Sequence, residues 1–204
     1  RALPEIHLPE GLVFIGEGAF SNCTSLRSIA IPGGIHELLL NTFLNCSSLT
    51  EVSLPNGLTA IGNSVFEGCA ALAHITIPEG VTLLGKTPFV RCTNLRTVVL
   101  PSSIKKFSDE EDTYDGKLFD DCRQLKAVIV NYGSKAHRYC KENNLPVLVF
   151  NEDYQYEFLP NGVEITGYSG KNSTLTIPEG VTSIGDYAFA DRSDITAINI
   201  PEGV

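Results

Sequence analysis

The sequence predicts a repeat protein, a solenoid of short stacked coils joined by a parallel β-ladder. Three observations carry this. Prolines stand at 9, 32, 55, 78 and 101, each 23 residues after the one before, and the interval returns between Pro178 and Pro201. Cysteines keep the same beat at 23, 46, 69 and 92, with phenylalanines three residues ahead of them at 20, 43, 66 and 89. One unit of this length cannot bury its apolar side alone, so neighbours must stack.

In phase, the units run 3–25, 26–48, 49–71 and 72–94, then 95–124, which is 30 residues long against 23. Their shared pattern is LxxIxIPxGVxxIGxxAFxxCxx. A period between 20 and 29 that opens on L-x-x-L-x-L is the leucine-rich repeat signature. Leu3, Leu26, Leu49, Leu72 and Leu95 form one inward column, Ile6, Ile29, Val52, Ile75 and Val98 a second, and Leu8, Ile31, Leu54, Ile77 and Leu100 a third. The last two are separated by one residue and rich in β-branched side chains, which is strand spacing. Proline then ends each strand, because it fixes φ and has no N–H to donate.

After the Pro-x-Gly turn a second apolar pair recurs, as in Ile35/Leu38, Leu58/Ile61 and Val81/Leu84, and is expected to line the opposite wall of the coil. Gly16, Gly62, Gly85 and Gly185 follow it, at a corner that calls for a positive φ or a close backbone approach. Leu39 and Ser108 break that rule.

With these residues the chain resembles the BspA-like class of bacterial surface leucine-rich repeats. The resemblance rests on IPEGVTSIGDYAF from Ile177 to Phe189 and ITIPEGVTLLG from Ile75 to Gly85. It differs from the better-known leucine-rich class by a Pro-x-Gly-Val turn where that class has asparagine. The resemblance implies a secreted or cell-surface bacterial protein that engages host or matrix proteins, or other cells, by adhesion through a long curved face.

The rest of the chain follows in order. Leu125, Val128 and Val130 repeat the strand pattern, but Asn131 replaces the proline and no Phe-x-x-Cys follows. Residues 133–144 read as a helix capped by Ser134, and 145–150 as a strand, so 125–150 forms a capping strand-helix-strand unit. Tyr154, Tyr156 and Phe158, the turn at Pro160-Asn161-Gly162, then Val163 and Ile165 read as an antiparallel β-hairpin. Residues 172–194 are one further 23-residue unit, in which Arg192 replaces the cysteine, suiting a first coil with one open side. The expected domains are therefore a repeat array at 1–124, a cap at 125–150, and a hairpin with the start of a second array at 151–204. Both ends fall inside the pattern, so the chain reads as a piece of something longer.

A net charge of −9 argues against nucleic acid and anionic membranes as partners, and no run of 18 apolar residues is present for direct membrane insertion. The six cysteines read as free buried thiols, because stacked positions about 5 Å apart and pointing the same way are poor geometry for a bridge. His137 and Cys140 share a helical face, yet no orienting group or oxyanion donor accompanies them, and the chain reads as no enzyme. His7, His36, His74 and His137 lack metal spacing and read as solvated. No cofactor is implied.

The insert Asp109-Glu110-Glu111-Asp112, with Asp115, Asp120 and Asp121, reads as a solvated loop, a partner contact, or a partial match to a calcium loop that lacks its twelfth-position glutamate. Asn22, Asn45 and Asn172 open N-x-S/T triplets, relevant only in a eukaryotic secretory pathway. The outward strand positions form the broadest candidate protein-binding face: Glu5, His7, Arg27, Ser28, Thr50, Glu51, Ser53, His74, Thr76, Arg96 and Thr97. It holds few of the Trp, Tyr and Arg residues that dominate binding energy. Two functions remain, a protein-interaction module and a passive spacer that holds another domain off the cell surface.

Overall fold

The structure, a computed structural model, describes residues 5–107, 117–159 and 162–204, and the chain divides after Leu125 into two compact units. Leu3, the acidic residues 109–112 and 115, Ser108 and the turn residues Pro160 and Asn161 lie outside the described residues.

The first unit alternates two kinds of short strand: β1 (Glu5–Ile6), β2 (Ser28–Ala30), β3 (Glu37–Leu38), β4 (Glu51–Ser53), β5 (Ala60–Ile61), β6 (His74–Thr76), β7 (Leu83–Leu84), β8 (Thr97–Val99) and β9 (Lys106–Phe107). The expected ladder is β1-β2-β4, with β6 paired to β8, all parallel and in 23-residue register: Ser28 faces Glu51 and His74 faces Thr97. The second apolar pair forms a parallel ladder of its own, β3-β5-β7-β9, in the same register. Each of the four coils from β2 to β9 therefore carries two strand walls, while the first coil has β1 without a second strand among the described residues.

A third set of inter-coil bonds runs through the turns around the phenylalanines. The N–H groups of Gly18, Phe20 and Asn22 donate to the carbonyls of Leu40, Thr42 and Leu44, and those of Asn41, Phe43 and Asn45 repeat this on Asn63, Val65 and Glu67. Two positions of each turn are left-handed. One column holds Gly18, Asn41, Ser64, Thr87 and Tyr187, the other Asn22, Asn45, Gly68, Arg91, Asp121 and Asp191, the non-glycine members at φ between 51° and 60°. A side chain at such a φ costs about 1–2 kcal/mol except in Gly, Asn and Asp, which accounts for the second column save Arg91 and, in the first, for Gly18 and Asn41.

Between the walls, Phe20, Phe43, Phe66, Phe89 and Phe119 stack with centroids 5.3–5.9 Å apart and planes within 5°. Beside them each thiol points to the coil before: Cys46, Cys69, Cys92 and Cys122 donate to the carbonyls of Phe20, Phe43, Phe66 and Phe89 at 3.0–3.3 Å. The corner glycines keep an ordinary φ, and Gly62, Gly85 and Gly185 serve close approach. A Cβ on Gly85 would lie 2.4 Å from the Gly62 carbonyl carbon. At the Gly16 corner the Phe14 ring is the one group within 4 Å of such a Cβ, at 3.8 Å, and Leu39, at the same corner one coil on, is half-buried.

The second unit begins with β10 (Ala127–Val130), then α1 (Lys135–Glu142) and β11 (Val147–Val149), which pairs parallel to β10. Ser134 caps α1 as expected, its hydroxyl accepting from the His137 N–H at 3.0 Å. The hairpin is β12 (Tyr154–Leu159) and β13 (Gly162–Tyr168); β13 then pairs parallel with β15 (Ser183–Ile184), while β14 (Thr174–Thr176) pairs with β16 (Ala197–Asn199). Arg192 does not leave an open side. Its guanidinium lies 4.8 Å from the Tyr168 ring and donates to the carbonyls of Tyr168 and Gly170, doing what the cysteine does elsewhere.

Within this unit Glu179 joins α1 to the turn after β14: Lys141 donates to it, and His137 Nε2 faces it at 3.5 Å. Lys141 holds the Glu179 carboxyl below its ordinary range. Its contribution is therefore complete above the ordinary value of 4.5 and is lost as pH falls through the lowered one. Glu179→Gln should flatten that acid limb of a stability-versus-pH curve. Phe66→Ala, at the centre of the stack, should cost about 3–5 kcal/mol in a denaturant titration and Phe20→Ala clearly less, since Phe20 is half-buried. Tyr187 is 88% exposed in a left-handed position, so Tyr187→Gly should raise stability by up to about 1 kcal/mol.

Candidate functional site

The alternation of the strand wall decides what faces outward in the first unit. Ile29, Ile75 and Val98 point in, and their neighbours point out. Because the register is one full period, outward residues line up in rows. One row is Glu5, Ser28, Glu51, His74 and Thr97, and the next is His7, Ala30, Ser53, Thr76 and Val99. Arg27, Thr50 and Arg96 stand exposed at the row edge, where the Thr50 hydroxyl donates to the Arg27 carbonyl at 3.0 Å.

The structure leaves Glu5, His7, Arg27, Thr50, Glu51, Ser53, His74, Thr76 and Arg96 exposed, with Ser28 half-buried. Thr97 departs from the expected solvated position. It is only 7% exposed, because the His74 imidazole lies over it and its Nδ1 shares a hydrogen bond with the Thr97 hydroxyl. His7 Nε2 stands 3.5 Å from Glu5 Oε1. The face holds two open troughs, one of about 410 Å³ floored by Ser28, Ala30 and Ser53 between Glu5 and Glu51, the other of about 640 Å³ between Thr50 and His74. Sequence reasoning missed Glu10 and Asn56, whose turns extend these troughs. Their signal was the turn that follows each strand, which contributes rim residues as regularly as the strand contributes rows.

The other sequence candidates are placed as follows. His137 is not solvated: it is 9% exposed, with Nδ1 accepting from the Gly133 N–H at 3.1 Å and its ring 5.3 Å from that of Tyr132. Cys140 is fully buried, and desolvation pushes its thiol up to about 12, far from a nucleophilic thiolate. All six cysteines are free. Burial raises the Cys46 thiol to about 11 and the Cys122 thiol to about 12, and raises Cys69 and Cys92 further. Of the acidic cluster, Asp120 and Asp121 are described, and Arg123 pairs with Asp121 at 3.3 Å. Among the described residues no three His, Cys, Asp or Glu side chains converge on a metal-sized site, and no helix is long and apolar enough to cross a membrane.

Comparison with known proteins agrees with this architecture. The family model for the BspA type leucine-rich repeat region matches residues 2–126 and 167–204 in six copies. Among solved structures, a leucine-rich repeat protein from T. pallidum is 30% identical over 62% of this chain and 58% of its own, with a TM-score of 0.55. One from Bacteroides ovatus matches 99% of this chain and 56% of its own at 23% identity and a TM-score of 0.55. One from Eubacterium ventriosum matches 99% and 49% at 17% identity and a TM-score of 0.51. The chain thus spans between 49% and 58% of the length of these structures. No curated protein matches the chain significantly by sequence.

The thiol geometry makes a direct prediction. At about pH 8 an aromatic disulfide reagent should label half-buried Cys23 in the folded protein, while Cys46, Cys69, Cys92, Cys122 and Cys140 react only once denaturant is added.

Proposed function

This chain belongs to the BspA-type leucine-rich repeat family, and on that premise we propose that the outward strand face of its first unit is a non-catalytic protein-binding surface. The observation that supports this is the alignment of exposed polar side chains into rows by the 23-residue register, with Arg27, Glu51, His74 and Arg96 exposed along the face and Ser28, Ala30 and Ser53 flooring one trough in it. A small-residue floor admits close backbone approach, and exposed charges at the rim give orientation and specificity more than affinity. The partner in this reading is a host or matrix protein, met at the bacterial cell surface, and the activity is adhesion.

The same blandness favours a second reading. Arg27 and Arg96 are the residues among the candidates of the kind that dominates binding energy, and none of the candidates is Phe, Tyr or Trp. A spacer that holds another domain away from the surface needs no more than this.

One experiment separates the two: binding of the purified chain to a panel of matrix and host surface proteins, alongside a variant with Arg27, Glu51, His74 and Arg96 all changed to alanine. The adhesion reading expects saturable binding that weakens by about tenfold or more in the variant, with circular dichroism unchanged. Binding retained in the variant would move the interaction off this face. No saturable binding to any member of the panel would favour the spacer.

A further inference from the structure

The hairpin of the second unit leaves one strand edge open. In the sheet β12-β13-β15, β12 is bonded to β13 on one side, and among the described residues no strand is bonded to its other side. The Tyr154 N–H at the start of β12 donates to the Asn151 carbonyl at 3.2 Å, so the open part of the edge, a template for a strand from another chain, follows Tyr154. Protected edges carry Pro, Lys or a bulge, or are very short. β12 has none of these. It is six residues, Tyr-Gln-Tyr-Glu-Phe-Leu, with Glu157 its single charge. The register shift beside Gln155 and Tyr156 leaves the extra residue, Thr166, on β13, so the outer edge of β12 stays regular.

Along this edge Tyr154 is buried and Tyr156 half-buried, and the aromatic side chains open up toward its end. Phe158 is 40% exposed and Phe150 49%, the latter with its ring 6.3 Å from that of Tyr156. Gln155 and Glu157 are exposed on the opposite face of the strand.

The strand is also complementary to itself. In an antiparallel pair, opposite residues share a face, so a two-fold axis through Tyr156 sets Tyr156 against Tyr156 of the second copy and Phe158 against its Tyr154. It also sets Gln155 against Glu157, twice. Within its own hairpin Glu157 stands opposite another carboxylate, Glu164, so an amide donor from a second copy meets a need the hairpin does not supply. Moving the axis by one residue would place Glu157 against Glu157, or against Asp153. Only the Tyr156-centred register of these three keeps carboxylates apart.

We propose that this chain forms a symmetric dimer by antiparallel pairing of β12 with β12 of a second copy, in the register centred on Tyr156. The two hairpin sheets then become one, and the aromatic row from Phe158 through Tyr156 continues across the axis.

Sedimentation velocity over a range of concentrations tests this with three exposed-site variants that leave the hairpin core intact. Wild type should show a concentration-dependent monomer–dimer equilibrium. Gln155→Glu places two carboxylate pairs at the interface and should weaken it roughly two- to thirty-fold, whereas Gln155→Lys should tighten it. The double variant Gln155→Glu with Glu157→Lys exchanges the partners and should restore the association. A protein that sediments as a monomer at every concentration overturns the proposal. So does an association that Gln155→Glu and the double variant leave unchanged.

Discussion

The contacts between coils depend on one constraint, the 23-residue period at which each kind of contact recurs. The rule holds in four places at once. Strand walls pair Ser28 with Glu51 and Leu38 with Ile61, turn amides pass from Phe43 to Val65, and rings and thiols stack column on column. Because these sets share one period, a slip of one residue would break all of them together. The long unit shows how strictly the period is kept. Its extra residues fall between Phe107 and Lys117, and Phe119 still stacks on Phe89 at 5.5 Å while Cys122 still reaches the Phe89 carbonyl.

The same constraint shapes the outward face. Identical spacing aligns the exposed residues into rows, so one change of side chain alters one point on a regular grid without disturbing the strand beneath it. Glu51, His74 and Thr97 are successive points on one such row, and the hydrogen bond between His74 and Thr97 shows neighbouring points touching. Where the array ends, the device changes. The capping unit replaces a proline-ended coil with a helix, the hairpin offers Tyr168 in place of a stacked phenylalanine, and Arg192 reaches back to backbone carbonyls as a thiol does elsewhere.

Much of this was legible in the sequence because a repeat shows each position several times. The columns of Leu26, Ile29 and Ile31, the strand ending at proline, the Ser134 cap and the alternation of Tyr154, Tyr156 and Phe158 all follow from local rules that five copies or a plain alternation make visible. What was hidden is backbone rather than side-chain information. Glu37–Leu38 is too short to show a strand period, so its segment read as a wall and not as a ladder. The left-handed columns hide behind varied residues: Gly18, Asn41, Ser64, Thr87 and Tyr187 share a conformation and no chemistry. Thr97 and His137 were misplaced because they are covered by particular neighbours, His74 over Thr97 and Tyr132 and Glu179 beside His137, that no period announces.

Residue-resolved amide hydrogen exchange tests the shared register most directly. If three inter-coil ladders hold each coil, the amides of Phe43 and Asn45 in one coil and of Phe66 and Gly68 in the next should exchange slowly and alike, along with those of the strand walls. Slow exchange confined to the strand walls, with the turn amides exchanging freely, would contradict the account. It would mean that the phenylalanine turns are not held by their neighbours at all.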